Sequence, residues 1–305
     1  MIYQFVATKL DEYRYPARGE MVDVGGYSLH LYCTGEEGAP TVVMDSGIGG
    51  TVLDWQLVQP EVAQFAHVCT YDRGGMGWSD PGAQPRTSQQ FVEELHALLG
   101  NAGVQGPYVL VGHSFGGTNV QLYASQYPDE VAGMVLVDSA DENEPRDPRY
   151  ASLADLQPSP VATKVLATIG ISRLQTTPNP ELPPELATEQ AAISSRTRHL
   201  YEVADETSSL VESFNELYAA PMSLGDEPLI VLSAGSLQMP GLLQEPLDQF
   251  NEAHSEYQAN LPRRSRNGKQ IIAENSGHSI QYDQPDLIID AIRQVVEAAR
   301  NSSSI

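Results

Sequence analysis

Short apolar runs recur through the first 140 positions, and stretches of helical spacing separate them. Met21–Val24 and Tyr27–Thr34 alternate as half-exposed strands do, and Gly25-Gly26 between them predicts a hairpin turn. Thr41–Asp45, His67–Tyr71, Tyr108–Gly112 and Val131–Asp138 are nearly continuous apolar runs, expected as buried strands. Ser88–Ala102 carries Phe91, Val92, Leu95, Leu98 and Leu99 at helical spacing. Gly117–Tyr127 is expected as a helix that stops before Pro128.

The pattern changes after about Asn143. Prolines cluster at 158, 160, 178, 180, 183 and 184, strand-like runs are absent, and Glu185–Ser223 has room for one or two helices. Strand character returns at Leu229–Ala234 and Gln270–Ala273. A helical stretch covers Pro246–Leu261, and Pro285–Arg300 has Leu287, Ile288, Ala291, Ile292 and Val295 on one face. Strands alternating with helices predict an α/β class with a mostly parallel sheet covered on both sides. The core domain is expected over 1–142 and 225–305, interrupted by a helical cap, or lid, over 143–224. Leu153, Leu156, Val165, Leu166, Ile169 and Leu174 of that cap are candidates for an apolar wall over a site.

The 305 residues suit one large α/β domain with an insertion, and 41% hydrophobic against 19% charged residues suits a packed core. Lys+Arg is 17 against Asp+Glu 40, a net charge of -23. That charge repels phosphate backbones and anionic lipid, so nucleic acid is not an expected partner. Cys33 and Cys69 are too few for a disulfide scaffold or a Cys-rich metal site; they are expected as two small buried residues, with a single disulfide the lesser alternative. No HExxH, CxxC pair or GxxxxGK[ST] occurs, so no metal and no cofactor is expected. Met1–Leu10 reads as neither a signal peptide nor a membrane span. A cytoplasmic location is favoured, with the cell envelope the alternative if a segment preceding this one was removed.

Chemistry enters at Gly112-His113-Ser114-Phe115-Gly116-Gly117, which follows the strand YVLVG and opens a helix. A GxSxG sequence in that context is a sharp turn that lifts a serine hydroxyl out of a sheet. A bulky residue at 112 or 116 would clash there. The helix N-terminus favours developing negative charge. Ser114 is therefore the candidate nucleophile. Of seven histidines, His30 and His67 lie in strands and His113 in the turn itself, while His96, His199 and His254 lie in helical stretches as surface or packing residues. His278 sits in the polar loop Asn275–Ser279 between the last strand and last helix, an accessible place for a general base.

A triad needs a carboxylate to orient that imidazole. No carboxylate follows Leu229–Ala234 closely; Glu245 and Asp248 are too far along. Asp138 closes the strand Val131–Val137 and is the candidate acid, with Asp141 and Glu142 as alternatives. Oxyanion donors are expected from the amides of Phe115 and Ile48, with Gly47 or Gly49 as alternatives to Ile48. The turn Tyr71–Asp80 lacks phosphate-loop spacing and is expected to be structural, braced by Asp72 and Arg73.

Taken together, the GHSFGG turn, the glycine loop after TVVMD, the YDRGGMGWSD turn and the SGHS loop resemble the α/β-hydrolase family from about Val22 to the C-terminus, most weakly across the cap. The resemblance implies eight strands, mostly parallel, with a helical lid. Two departures stand out. Most relatives begin the third-strand loop with His-Gly, where this chain has Asp45-Ser46-Gly47. Most also carry the acid after the seventh strand, and Asp138 matches the subset in which it follows the sixth. Some relatives carry a hydrophobic segment upstream, which would mean an anchored or exported parent. Ser114, where haloalkane dehalogenases and epoxide hydrolases carry Asp, points to acyl transfer. The expected substrate is a small-molecule carboxylic ester of small to medium acyl chain. The alternatives are a peptide, lactone or carbon–carbon bond, or a binding protein that kept the fold.

Overall fold

The computed structural model describes residues 2–150, 159–220, 222–238, 243–301 and 305. Its strands are β1 (Glu20–Asp23), β2 (Ser28–Thr34), β3 (Thr41–Asp45), β4 (Val68–Tyr71), β5 (Tyr108–His113), β6 (Val131–Val137), β7 (Leu229–Ala234) and β8 (Gly268–Ala273). They form one sheet in the order β1-β2-β4-β3-β5-β6-β7-β8. Both pairings of β2 are antiparallel, and every pairing from β4 to β8 is parallel. Asp23 Oδ1 accepts from the amides of Gly25 and Gly26, which closes the expected hairpin.

The continuous apolar runs follow from burial on both faces. Val43, Leu110, Leu136 and Val231 join one core with Leu95, Leu98, Val120 and Tyr123. Their neighbours Val42, Met44, Val109, Val111, Val135 and Ile230 join the other, against Ile288, Ile292 and Val295. Successive strand side chains point to opposite faces, so a sheet sandwiched between helices needs apolar residues at both parities. Each such aliphatic side chain taken fully from water is worth about 1.5–3 kcal/mol.

The longer helices are α1 (Ile2–Arg14), α2 (Ser88–Asn101), α3 (Phe115–Gln126), α4 (Pro160–Ile169), α5 (Pro184–Ser194), α6 (Thr197–Ala219), α7 (Gln244–Asn260) and α8 (Pro285–Asn301). α4, α5 and α6 lie between β6 and β7 in the chain. α6 packs onto α2 and α3, and Ser213 Oγ of α6 accepts from the amide of Ser88 at 2.9 Å. α1 has no counterpart in the sequence pattern. It is held through tertiary contacts: Gln4 Nε2 donates to the Ser195 carbonyl at 2.7 Å, and Arg173 pairs with Asp11 at 2.6 Å. Among the described residues no helix is long and apolar enough to cross a membrane.

One expectation is corrected here. Cys33 and Cys69 are joined as a disulfide, and Cys33 is half-exposed rather than buried. The antiparallel register of β2 and β4 sets them directly opposite each other, with Cα atoms 4.1 Å apart. That register is a property of the sheet, and a separation of 36 residues conceals it from sequence patterning.

Candidate active site

The carboxyl ends of β3, β5, β6 and β8 lead into the segments that carry Ile48, Ser114, Asp138 and His278. This is the edge where parallel α/β sheets place their ligands. Ser114 sits between β5 and α3 with φ 53° and ψ -120°, a left-handed conformation for a residue that has a side chain. Such a backbone costs on the order of 1–3 kcal/mol and persists only where the surroundings enforce it. Here its amide donates to Val137 O at 3.1 Å, and its carbonyl accepts from Gly117 and Ala140. The flanking glycines are a packing requirement. A Cβ on Gly112 would stand 2.5 Å from Gly117 Cα, and one on Gly116 would stand 2.4 Å from the Asp45 carbonyl.

Asp138 follows β6 with φ 41° and a fully buried carboxylate. His278 Nδ1 lies 2.6 Å from its Oδ2. With Nδ1–H donating to the carboxylate, His278 Nε2 is left as an acceptor. Burial opposes charge on Asp138, but hydrogen bonds from His254 and His278 outweigh it and hold the carboxyl well below the usual range. Ser114, Asp138 and His278 all line one cavity of about 290 Å³, together with Glu144, Tyr150 and His254. Asp141 and Glu142 turn away to Arg264. Glu245 and Asp248 are exposed on α7.

The loop after β3 faces Ser114. A Cβ at Gly47 would lie 3.3 Å from Ser114 Cβ. Buried Arg73 fastens this loop: Nη1 donates to Asp45 Oδ1 at 2.6 Å and to the Ser46 carbonyl at 2.7 Å, and Nη2 donates to the Gly47 carbonyl at 2.6 Å. Its Nε donates to Glu206 of α6 at 2.7 Å, and Glu206 Oε2 accepts from the Gly49 amide at 3.0 Å. The Gly49 amide is thus engaged elsewhere, while Ile48 lines a second cavity of about 490 Å³ with Ser114 and Phe115. Asp72 braces its own turn, Tyr71–Asp80, accepting from the amides of Val52 and Trp78 and pairing with His30 at 2.8 Å. The larger cavity is walled by Leu210, Val211 and Phe214 of α6. Of the apolar wall read from the sequence, Val165, Ile169 and Leu174 point to solvent instead, Leu166 is half-buried, and Leu153 and Leu156 lie outside the described residues.

Two histidines set aside on sequence meet this site. His254 Nε2 lies 2.9 Å from Asp138 Oδ1. His113 Nε2 lies 2.9 Å from the His278 carbonyl, tying the serine turn to the loop of the candidate base. Burial, with a smaller push from the charge of His278, drives His113 down to about 3, so the neutral ring donates to that carbonyl. Burial similarly drives His199 down to about 4. In the unfolded chain both take up a proton near pH 6.5. The stability each contributes is therefore present above pH 6.5 and is lost as pH falls toward 3 and 4. Each group changes unfolding free energy by up to ~1.4 kcal/mol per pH unit in that window. Thermal melts from pH 8 to pH 4 are expected to show a falling midpoint, with a shallower fall in His199→Gln; parallel curves for the two proteins would refute this.

The chain belongs to the alpha/beta hydrolase family, whose fold profile matches residues 40–285. It is 27% identical over 279 residues to the Bacillus subtilis protein YqjL, covering 90% of this chain and 91% of that one. It is 24% identical over 316 residues to "Probable transporter efuK" of Hormonema carpetanum, covering 93% of this chain but only 44% of that protein's length. Among solved structures it is similar to the Cif epoxide hydrolase of Acinetobacter nosocomialis, with a TM-score of 0.71, 16% identity and coverage of 97% and 96%. At that identity the likeness speaks for the fold alone.

Proposed function

We propose that the protein is a serine hydrolase that cleaves carboxylic esters of small to medium acyl chain through an acyl-enzyme. The observation that carries this reading is the His278–Asp138 hydrogen bond at 2.6 Å, in a cavity that Ser114 also lines. In the proposed reaction Ser114 Oγ attacks the ester carbonyl while His278 Nε2 takes its proton. Asp138 stabilises the imidazolium. The amides of Phe115 and Ile48 receive the oxyanion, each worth about 3 kcal/mol in a preorganised hole. His278 then returns the proton to the leaving alcohol, and water, deprotonated by the same imidazole, releases the acid.

A serine at 114 distinguishes this chemistry from epoxide opening by a carboxylate nucleophile. The wall of Leu210, Val211 and Phe214 suits an apolar acyl group, with the segment 143–224 that carries α4, α5 and α6 acting as the cap. Glu144 and Asp147 also reach the larger cavity, which is the observation favouring an amine-bearing substrate as a second reading. Asp147 is already paired with Arg149 at 2.7 Å, which weighs for the ester. Purified protein is expected to turn over nitrophenyl esters and to leave an aminoacyl anilide and an epoxide intact. Cleavage of the anilide or epoxide without the esters would overturn the assignment.

A further inference from the structure

Asp138 has two carboxylate oxygens, and the hydrolytic reading uses one. His278 faces Oδ2. Oδ1 accepts from the Ala234 amide at 2.8 Å and meets His254 Nε2 at 2.9 Å. His254 projects from α7, reaches the cavity shared by Ser114 and His278, and keeps only 9% of its side chain exposed. Its ring stacks near-parallel on Phe250, with centroids 5.8 Å apart, and Phe250 packs edge-on against Tyr150. Its other nitrogen, Nδ1, lies 3.5 Å from the Tyr150 hydroxyl. A histidine that served only to fill space would not need both nitrogens directed at polar atoms in a site this buried.

We propose that His254 is a positioning residue of the hydrolytic site, holding Asp138 through Oδ1 so that Oδ2 meets His278, and sharing the carboxylate's charge between two imidazoles. The proposal rests on the reading of Ser114, His278 and Asp138 given above. Three polar groups face His254: Asp138 from the turn after β6, and Glu144 and Tyr150 from the segment that follows. Across the shared carboxylate stands His278. Burial works against a charge on His254, but the Asp138 hydrogen bond and the charges of Asp138 and Glu144 prevail and raise its pKa above the ordinary value. Loss of water around Glu144 in turn pushes that carboxyl up to about 7.

When His254 is an imidazolium, a second positive charge on the far side of Asp138 is disfavoured. Removing the charge of His254 must move the acid limb of the site's pH profile upward. Removing its hydrogen bond leaves Oδ1 held by the Ala234 amide alone, and the looser carboxylate lowers the rate at every pH. A residue that only packs would change neither the limb nor its dependence on a retained N–H.

The test follows phosphonylation of Ser114 by a fluorophosphonate across pH, a readout that does not depend on which ester is cleaved. His254→Leu keeps bulk and removes donor and charge; His254→Gln keeps an amide donor at the place of Nε2. The leucine variant is expected to lose about tenfold in plateau rate, because a carboxylate held less firmly misplaces the base that it orients. The glutamine variant should recover part of that loss. In both, the acid limb should move to higher pH by about one unit. An unmoved limb in His254→Gln, or an undiminished plateau in a folded His254→Leu, overturns the proposal. If the leucine variant does not fold, the limb of the glutamine variant decides alone. Wild-type protein that is not labelled at Ser114 at any pH overturns the triad itself, and this role with it. Labelling at Ser114 with a shifted limb but no ester turnover supports the His254 role and sinks only the substrate class.

Discussion

Ser114→Ala is expected to lower kcat/KM for a nitrophenyl ester by about 10⁴-fold or more, because nothing else at the turn can form the acyl-enzyme. The hydroxyl is placed by a backbone that alanine can occupy at the same cost as serine, with φ 53° and the same three hydrogen bonds, one donated by the amide of 114 and two accepted by its carbonyl. The variant should therefore melt within about a degree or two of wild type, since the change neither opens a core cavity nor strands a buried charge. Steady-state kinetics on purified protein, with a melt as control, measures both. Ester turnover within tenfold of wild type would show that Ser114 is not the nucleophile.

Asp138→Asn is expected to cost about 10⁴ in kcat at neutral pH. Asparagine keeps the shape but presents either an amide donor or a neutral oxygen to His278 Nδ1, so the imidazole loses the partner that fixes its tautomer and stabilises its cation. The effect spreads further in this protein than in a simple triad, because the same carboxylate also takes the Ala234 amide and His254 Nε2. A flipped asparagine would aim its NH₂ at one of them. Glu245→Gln, on exposed helix surface, should leave kcat unchanged within error. An active Asp138→Asn beside an inactive Glu245→Gln would reverse the choice of acid.

Where the sequence was informative, the constraint was local. GHSFGG is legible because a tight strand-to-helix turn excludes a Cβ at 112 and 116, whatever the rest of the chain does. Asp138 was chosen as the candidate acid by elimination, as the carboxylate at a strand end when the strand Leu229–Ala234 offered none. The wall of the larger cavity was not legible, since α6 buries the polar His199, Glu202, Glu206 and Ser213 and leaves Val211 exposed, and only its docking on α2 and α3 sets Leu210, Val211 and Phe214 along the cavity that Ser114 lines.

By itself the chain determined its strands, its serine turn and the family those imply, because continuous apolar runs and steric needs within six residues are local constraints that hold whatever the distant contacts are. Only the tertiary structure decided which buried charges meet. Arg73 finds Glu206 across 133 residues, Cys33 finds Cys69 through sheet register, and His254 finds Asp138 across 116. A histidine on a helix carries no mark of what it will face. Its partner is chosen when two elements pack and a polar group left without water must take the nearest complement.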